Sequence, residues 1–253
     1  MITDRQLVID NLEDKLKAFT HAVGGELTSE ADFVISDTGI PTDTFNLLLP
    51  KSPDIKNPVK VRDAIDNFKG FPFCAWTDVR FLNDDWKALM RDYDLEEAER
   101  NVMMKLENTL HVGQNNSPQL KIAPVKSNEE LMRYKEVFIS LFEGSPEKEG
   151  LESYFNRFSQ AKLGPEVQMF IGCKGELAVT AGLLIESKES YGIYDVMTKE
   201  AFRGKGFGSD MFQFLLNRTE DKQKPVVLQA SEDGKNIYKR FGFTDVGEMV
   251  VFE

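Results

Sequence analysis

Arg203-Gly204-Lys205-Gly206-Phe207-Gly208 is the stretch of this chain whose residue types and spacing could do chemistry. Three glycines alternate with cations and an aromatic, and an apolar pattern at helical spacing follows: Phe207, Met211, Phe212, Leu215 and Leu216. Before it, residues 190–198 favour a strand, with Tyr191, Ile193, Tyr194, Val196 and Thr198 supplying aromatic and β-branched side chains. A strand, a glycine-rich turn and a helix start bring several unpaired N–H groups close to a ligand. With the positive end of the helix dipole and the flanking cations, they make a site for phosphate.

Two common phosphate motifs do not fit. A Walker loop needs Ser or Thr after Gly-Lys, and here Gly206 follows Lys205. The dinucleotide fingerprint needs a third glycine three residues after its second. Counted from Gly204 and Gly206 that position holds Ser209, and no acidic ribose binder follows the strand. What Arg203, Gly206 and Gly208 do spell is Arg-x-x-Gly-x-Gly. A second stretch, Val226 to Phe243, carries Ala230-Ser231, Gly234, Ile237-Tyr238 and Phe241-Gly242-Phe243. In this order and at this distance the two motifs resemble the GNAT superfamily, the acyl-CoA-dependent N-acetyltransferases, over roughly residues 119–253.

The resemblance implies an α/β (α+β mixed-sheet) GNAT acyl-CoA N-acyltransferase fold with a catalytic C-terminal lobe. It implies acetyl-CoA as cosubstrate, lying in a notch between two splayed parallel strands at residues 193–198 and 225–230. The pantetheine arm would add to the strand Val196-Met197-Thr198, with the backbones of Val196 and Thr198 as partners. The pyrophosphate would sit on the amides of Gly204, Lys205, Gly206, Phe207, Gly208 and Ser209, with Gly234 in the second motif. Arg203 and Lys205 add charge there, or are solvated surface cations. Tyr238 matches the family's proton donor to the leaving thiolate, since a phenol of pKa about 10 stays protonated at neutral pH; the alternative is that it packs with Ile237 and Phe241. The general base stays unassigned between Asp195, Glu186 and a water relay. Direct attack by the amine is preferred to an acyl-enzyme on Cys173, and no metal is implied.

The elements that must position these groups read as two lobes, residues 1–112 and 119–253. Residues 3–23 form an amphipathic helix with Val8, Leu12, Leu16, Phe19 and Val23 on one face, a capping box at Thr3 and Gln6, and a stop at Gly24-Gly25. Strands are expected at 31–36, 44–49, 71–77 and 101–106, with helices marked by Val61, Ile65 and Phe68 and by Trp86, Leu89, Met90 and Tyr93, the latter capped by Asn83. Phe45-Asn46 and Pro72-Phe73-Cys74-Ala75-Trp76 resemble the N-terminal part of two-lobed GNAT proteins, which implies a degenerate copy of the fold, able to close over the substrate side of its neighbour. His111 to Pro118 is the expected linker. A second capping box at Ser127 and Glu130 opens the C-terminal lobe's first helix, and Leu151, Tyr154, Phe155 and Phe158 mark its second. Glu143-Gly144-Ser145-Pro146 between them is a candidate substrate loop. Strands follow at 167–172 and 176–186, each lobe holding its own mixed sheet.

Composition sets the outer limits. A net charge of −11 argues against binding nucleic acid or anionic membrane through a basic surface. The two cysteines, Cys74 and Cys173, lack metal or redox spacing. No apolar segment reads as a signal core or a membrane span, so a cytoplasmic location is expected. The expected function is transfer of an acetyl group from acetyl-CoA to a primary amine, a small-molecule acceptor being favoured over a protein. The alternative is a noncatalytic acyl-CoA-binding or partner-binding module on the same fold, which a cavity blocked by the N-terminal lobe would favour. Homodimer formation is left open.

Overall fold

The amphipathic N-terminal segment becomes helix α1 (Asp4–Ala22), which starts where the Thr3 hydroxyl accepts the Gln6 N–H at 3.2 Å. Only half of the expected box forms, because the Gln6 side chain donates to Asp10 Oδ1 instead. The helix stops where Gly24 takes φ 72°, a conformation that costs glycine little. The whole expected stripe is buried, and the polar Asn11 and Thr20 are buried with it. The structure is a computed structural model and describes residues 2–68, 70–107, 120–158, 163–219, 224–232 and 234–253. The linker expected at His111–Pro118 lies outside the described residues.

After α1 come β1 (Glu26–Ser29), β2 (Phe33–Asp37), β3 (Leu47–Pro50), α2 (Pro58–Asp66), β4 (Cys74–Asp78), α3 (Asp84–Asp92) and β5 (Glu97–Leu106). The second half holds β6 (Lys121–Pro124), α4 (Asn128–Ile139), α5 (Glu147–Phe158), β7 (Val167–Lys174), β8 (Leu177–Glu186), β9 (Tyr191–Thr198), α6 (Phe207–Asn217), β10 (Val226–Ser231), α7 (Lys235–Lys239) and β11 (Thr244–Phe252). At Ser127 the capping box is complete, Ser127 Oγ accepting the Glu130 N–H while Glu130 accepts the Ser127 N–H.

A separate sheet in each lobe was expected, and the structure corrects this. The strands form one eleven-stranded sheet in the order β1-β2-β3-β4-β11-β5-β10-β9-β8-β7-β6. Strand β5, from the first half, lies between β10 and β11: Met103 faces Gln229 on one side and Gly247 on the other. Strand β11 in turn reaches β4, Met249 facing Asp78. Two strands were not anticipated. β1 is short and polar, and the alternation of β11 is broken at a bulge between Asp245 and Gly247. Side chains on one sheet face pack with α1, α4 and α5, and those on the other with α2, α3 and α6.

Each half contains one parallel pair joined through a helix: β3–α2–β4 and β9–α6–β10. Both pairs bond only at their beginnings, Leu47 and Leu48 with Cys74 and Ala75, and Tyr191 and Gly192 with Val226 and Val227. Beyond those points the strands splay. In the first half the loop after β3 has no glycine, and Trp86 of α3, fully buried, donates its indole N–H to Ser52 O at 2.9 Å. Trp86 shares a buried core with Leu48 of β3 and Ala75 of β4 in that lobe. Asn46 is equally structural: buried, it accepts from the N–H and hydroxyl of Thr38 and donates to Ile40 O and Pro72 O.

The loop between β2 and β3 is fastened to α5. Gly150 lacks the Cβ that would lie 2.3 Å from Pro41 O, Thr42 Oγ1 donates to Glu147 Oε2 at 2.5 Å, and Phe45 stacks on Tyr154 at 3.9 Å. The expected substrate loop, Glu143 to Pro146, is a bonded turn in which Ser145 N–H donates to Phe142 O and Lys148 pairs with Glu143. Asp43 sits beside Glu147, and burial first, then that neighbouring carboxylate, pushes its carboxyl up to about 7. A carboxyl whose pKa is raised on folding binds a proton more tightly in the native state, so stability falls as pH rises from about 4 to about 7. Asp43→Asn is therefore expected to raise Tm at pH 8 by roughly 2–4 °C and to leave it unchanged near pH 4, as thermal melts at the two pH values would read. Equal effects at both would show that Asp43 ionises freely.

Candidate active site

The expected phosphate loop follows β9 through a short turn at Glu200–Phe202, closed by Arg203 N–H donating to Glu200 O at 3.1 Å. Gly204 and Gly206 take φ 71° and 84°, where a side chain would be strained although a Cβ at either would meet only open space. Gly206 is the N-cap of α6 and offers no side chain, so the first-turn amides of Phe207, Gly208 and Ser209 have no acceptor within the helix. They face a cavity of about 610 Å³. Val196, Met197, Thr198, Arg203, Gly204, Gly206, Phe207, Gly208, Ser209 and Tyr238 line it together. Open space above two positive-φ glycines, beside a row of free amides, fits a pyrophosphate.

Two expected residues lie elsewhere. Lys205 turns back, donating to Ala201 O at 2.7 Å and sitting over the Phe202 ring. Gly234 closes a turn, its N–H bonded to Ser231 O, where a Cβ would lie 3.1 Å from Ser231 Oγ, and is outside the cavity lining. Arg203 is fixed by Nε donating to Thr198 O at 3.2 Å. Leu141, Phe202, Phe212, Ile237 and Arg240 also line the cavity. The exposure of Ile237 beside Tyr238 is the signal that could have marked them, since the rest read as ordinary core or surface. All the described lining residues come from the second half of the chain.

Tyr238 stands on α7 with its ring 4.8 Å from that of Phe212 and 6.3 Å from that of Phe243. It is both packed and cavity-facing. Burial raises its phenol above the ordinary range, which keeps the proton on at neutral pH. The two carboxylates considered as bases are both engaged. Glu186 pairs with Lys224 at 3.1 Å and faces Tyr191, at the end of β9 away from Thr198. Asp195 Oδ1 accepts from Lys15 Nζ at 3.0 Å and Oδ2 from the Tyr134 hydroxyl at 3.4 Å. Burial first, and the charge of Asp195 second, holds the Tyr134 phenol far above its usual range, so it acts as a donor.

The chain is similar to known proteins. Residues 146–253 match the family described as Acetyltransferase (GNAT) domain. That match covers most of the C-terminal lobe. No curated protein matches the sequence. Among solved structures, the chain is similar to a GCN5-related N-acetyltransferase from Kribbella flavida, at 12% identity and TM-score 0.65 over 97% of this chain and 94% of that one. It is also similar to a GCN5-related N-acetyltransferase-like protein from Streptococcus suis, at 11% identity and TM-score 0.59 over 97% and 99%. A tandem GNAT protein from the clavulanic acid biosynthesis pathway matches at 10% identity and TM-score 0.57 over 97% and 94%. At such identities the likeness is one of fold, and it extends over both halves. The chain has the two-lobed GNAT fold. Among the described residues no helix is long and apolar enough to cross a membrane.

Proposed function

We propose that this GNAT protein transfers an acetyl group from acetyl-CoA to the primary amine of a small molecule. The observation that carries the reading is the convergence, on one cavity, of the glycine-rich helix start, the splayed end of β9 and the Tyr238 phenol. Acetyl-CoA supplies an acetyl group activated as a thioester. The amides of Phe207, Gly208 and Ser209 hold its pyrophosphate, and Val196 and Thr198 orient its pantetheine arm through their backbones. The amine nitrogen forms a bond to the carbonyl carbon and the C–S bond breaks. Tyr238 gives its proton to the departing sulfur, and the nitrogen gives up its own extra proton to water. With Asp195 and Glu186 both ion-paired, a water relay is the base this geometry favours.

The alternative, a module that binds acyl-CoA without reacting, would be favoured by a cavity closed off by the N-terminal lobe. A lining drawn from the second half alone supports the enzyme reading. Calorimetric titration tests it. Acetyl-CoA is expected to bind the intact protein, and Gly206→Glu is expected to weaken binding at least about 100-fold, through a strained backbone and a carboxylate facing phosphate. Absence of binding to the intact protein would refute the assignment.

A further inference from the structure

Strand β9 changes the direction in which its backbone faces. Tyr191 N–H donates to Pro225 O at 2.9 Å, so at its start the odd-numbered residues face β10. Just past its end, Lys199 N–H donates to Val179 O at 3.0 Å, so there the odd-numbered residues face β8. The reversal occurs where Asp195 and Val196 together oppose Gly182, a bulge between the pairs Tyr194 with Leu183 and Met197 with Ala181. Its effect is to turn the N–H and C=O of Val196 and Thr198 toward the splayed edge. Without it, the groups of Asp195 and Met197 would point there, and Arg203 would lose the Thr198 carbonyl it bonds.

The bulge needs Asp195 at φ 51°, which any residue with a Cβ adopts at a cost. Helix α1, from the other half of the chain, holds it. Lys15 Nζ bonds Asp195 at 3.0 Å and lies 4.6 Å from the centre of the Tyr194 ring. One turn earlier Asn11 accepts the Tyr194 hydroxyl at 2.9 Å. Gly192 makes that approach possible, since a Cβ there would fall 1.8 Å from Asn11 Oδ1.

We propose that Lys15 is a positioning residue for the coenzyme. By pairing with Asp195 it fixes the bulge that presents Val196 and Thr198 to the pantetheine arm, so the first half of the chain sets the coenzyme geometry of the second. This rests on the acetyl-CoA reading above. The test compares two ligands, acetyl-CoA and adenosine 3′-phosphate 5′-diphosphate, which has the phosphates but no pantetheine. Lys15→Met is expected to weaken acetyl-CoA about tenfold, the loss of one or two main-chain bonds, and to leave the nucleotide within about twofold. Adding Asp195→Gly, which tolerates positive φ and carries no stranded charge, is expected to restore acetyl-CoA binding.

If Lys15→Met fails to fold, Asp195→Val opposes the bulge by another route and should show the same selective loss. A folded Lys15→Met or Asp195→Val protein that binds acetyl-CoA normally, or that weakens for both ligands alike, overturns the proposal. Binding of neither ligand by the intact protein refutes the coenzyme reading itself.

Discussion

Residues 119–253 expressed alone are expected to give no cooperatively melting monomer. The fragment contains the whole cavity, yet it lacks β5, which pairs with β10 along Val226–Ser231 and with β11 along Thr244–Phe252. Strand β11 would lose β4 as well, and with them both its ladders. The fragment would also lose α1, whose Val8, Ile9, Leu12, Leu16 and Phe19 cover the sheet face shared with α4 and α5. Exposed strand edges and an uncovered apolar face predict aggregation. Size-exclusion chromatography and thermal melting read the outcome, and co-expression with residues 1–118 should restore a soluble complex. A monomer melting like the full chain would show that the C-terminal lobe needs neither element.

Tyr238→Phe is expected to lower kcat about 100-fold, at the low end of what a general acid contributes, while acetyl-CoA affinity stays within about threefold. The ring contact with Phe212 survives this change, so a loss of rate would report the hydroxyl alone. The pH profile separates roles further. An acid whose pKa burial raises above about 10 keeps its proton through neutral pH and loses it only as pH climbs past that raised value. If the proposed reaction holds, the intact protein should therefore show no alkaline fall attributable to Tyr238 between about pH 7 and 9. Unchanged turnover in Tyr238→Phe across pH would assign the residue to packing.

The glycine-rich turn was legible because its demands are local. Gly204 and Gly206 adopt backbone angles that glycine alone takes freely, and such a requirement leaves its mark in the sequence itself. The same holds for the stop at Gly24 and the cap at Ser127. The bulge at Asp195 left no such mark, because the partners its carboxylate meets there are Lys15, 180 residues away, and Tyr134. The single sheet was hidden for a related reason: the apolar residues of β5 mark it as a strand but not which strands flank it. Trp86 read as one apolar position on a helix, and only its bond to Ser52 O reveals that it fastens α3 to the loop after β3.

The place of β11 also orders events in time. It sits between β4 and β5, both made long before it, so Asp78 and Asn101 must wait for Met249 before their ladders can close. Until then two central strands carry open edges on a nascent chain. Sheet closure thus waits on the synthesis of β11 rather than on the speed of local folding, and that interval is when the chain is most exposed to mispairing and most in need of a chaperone.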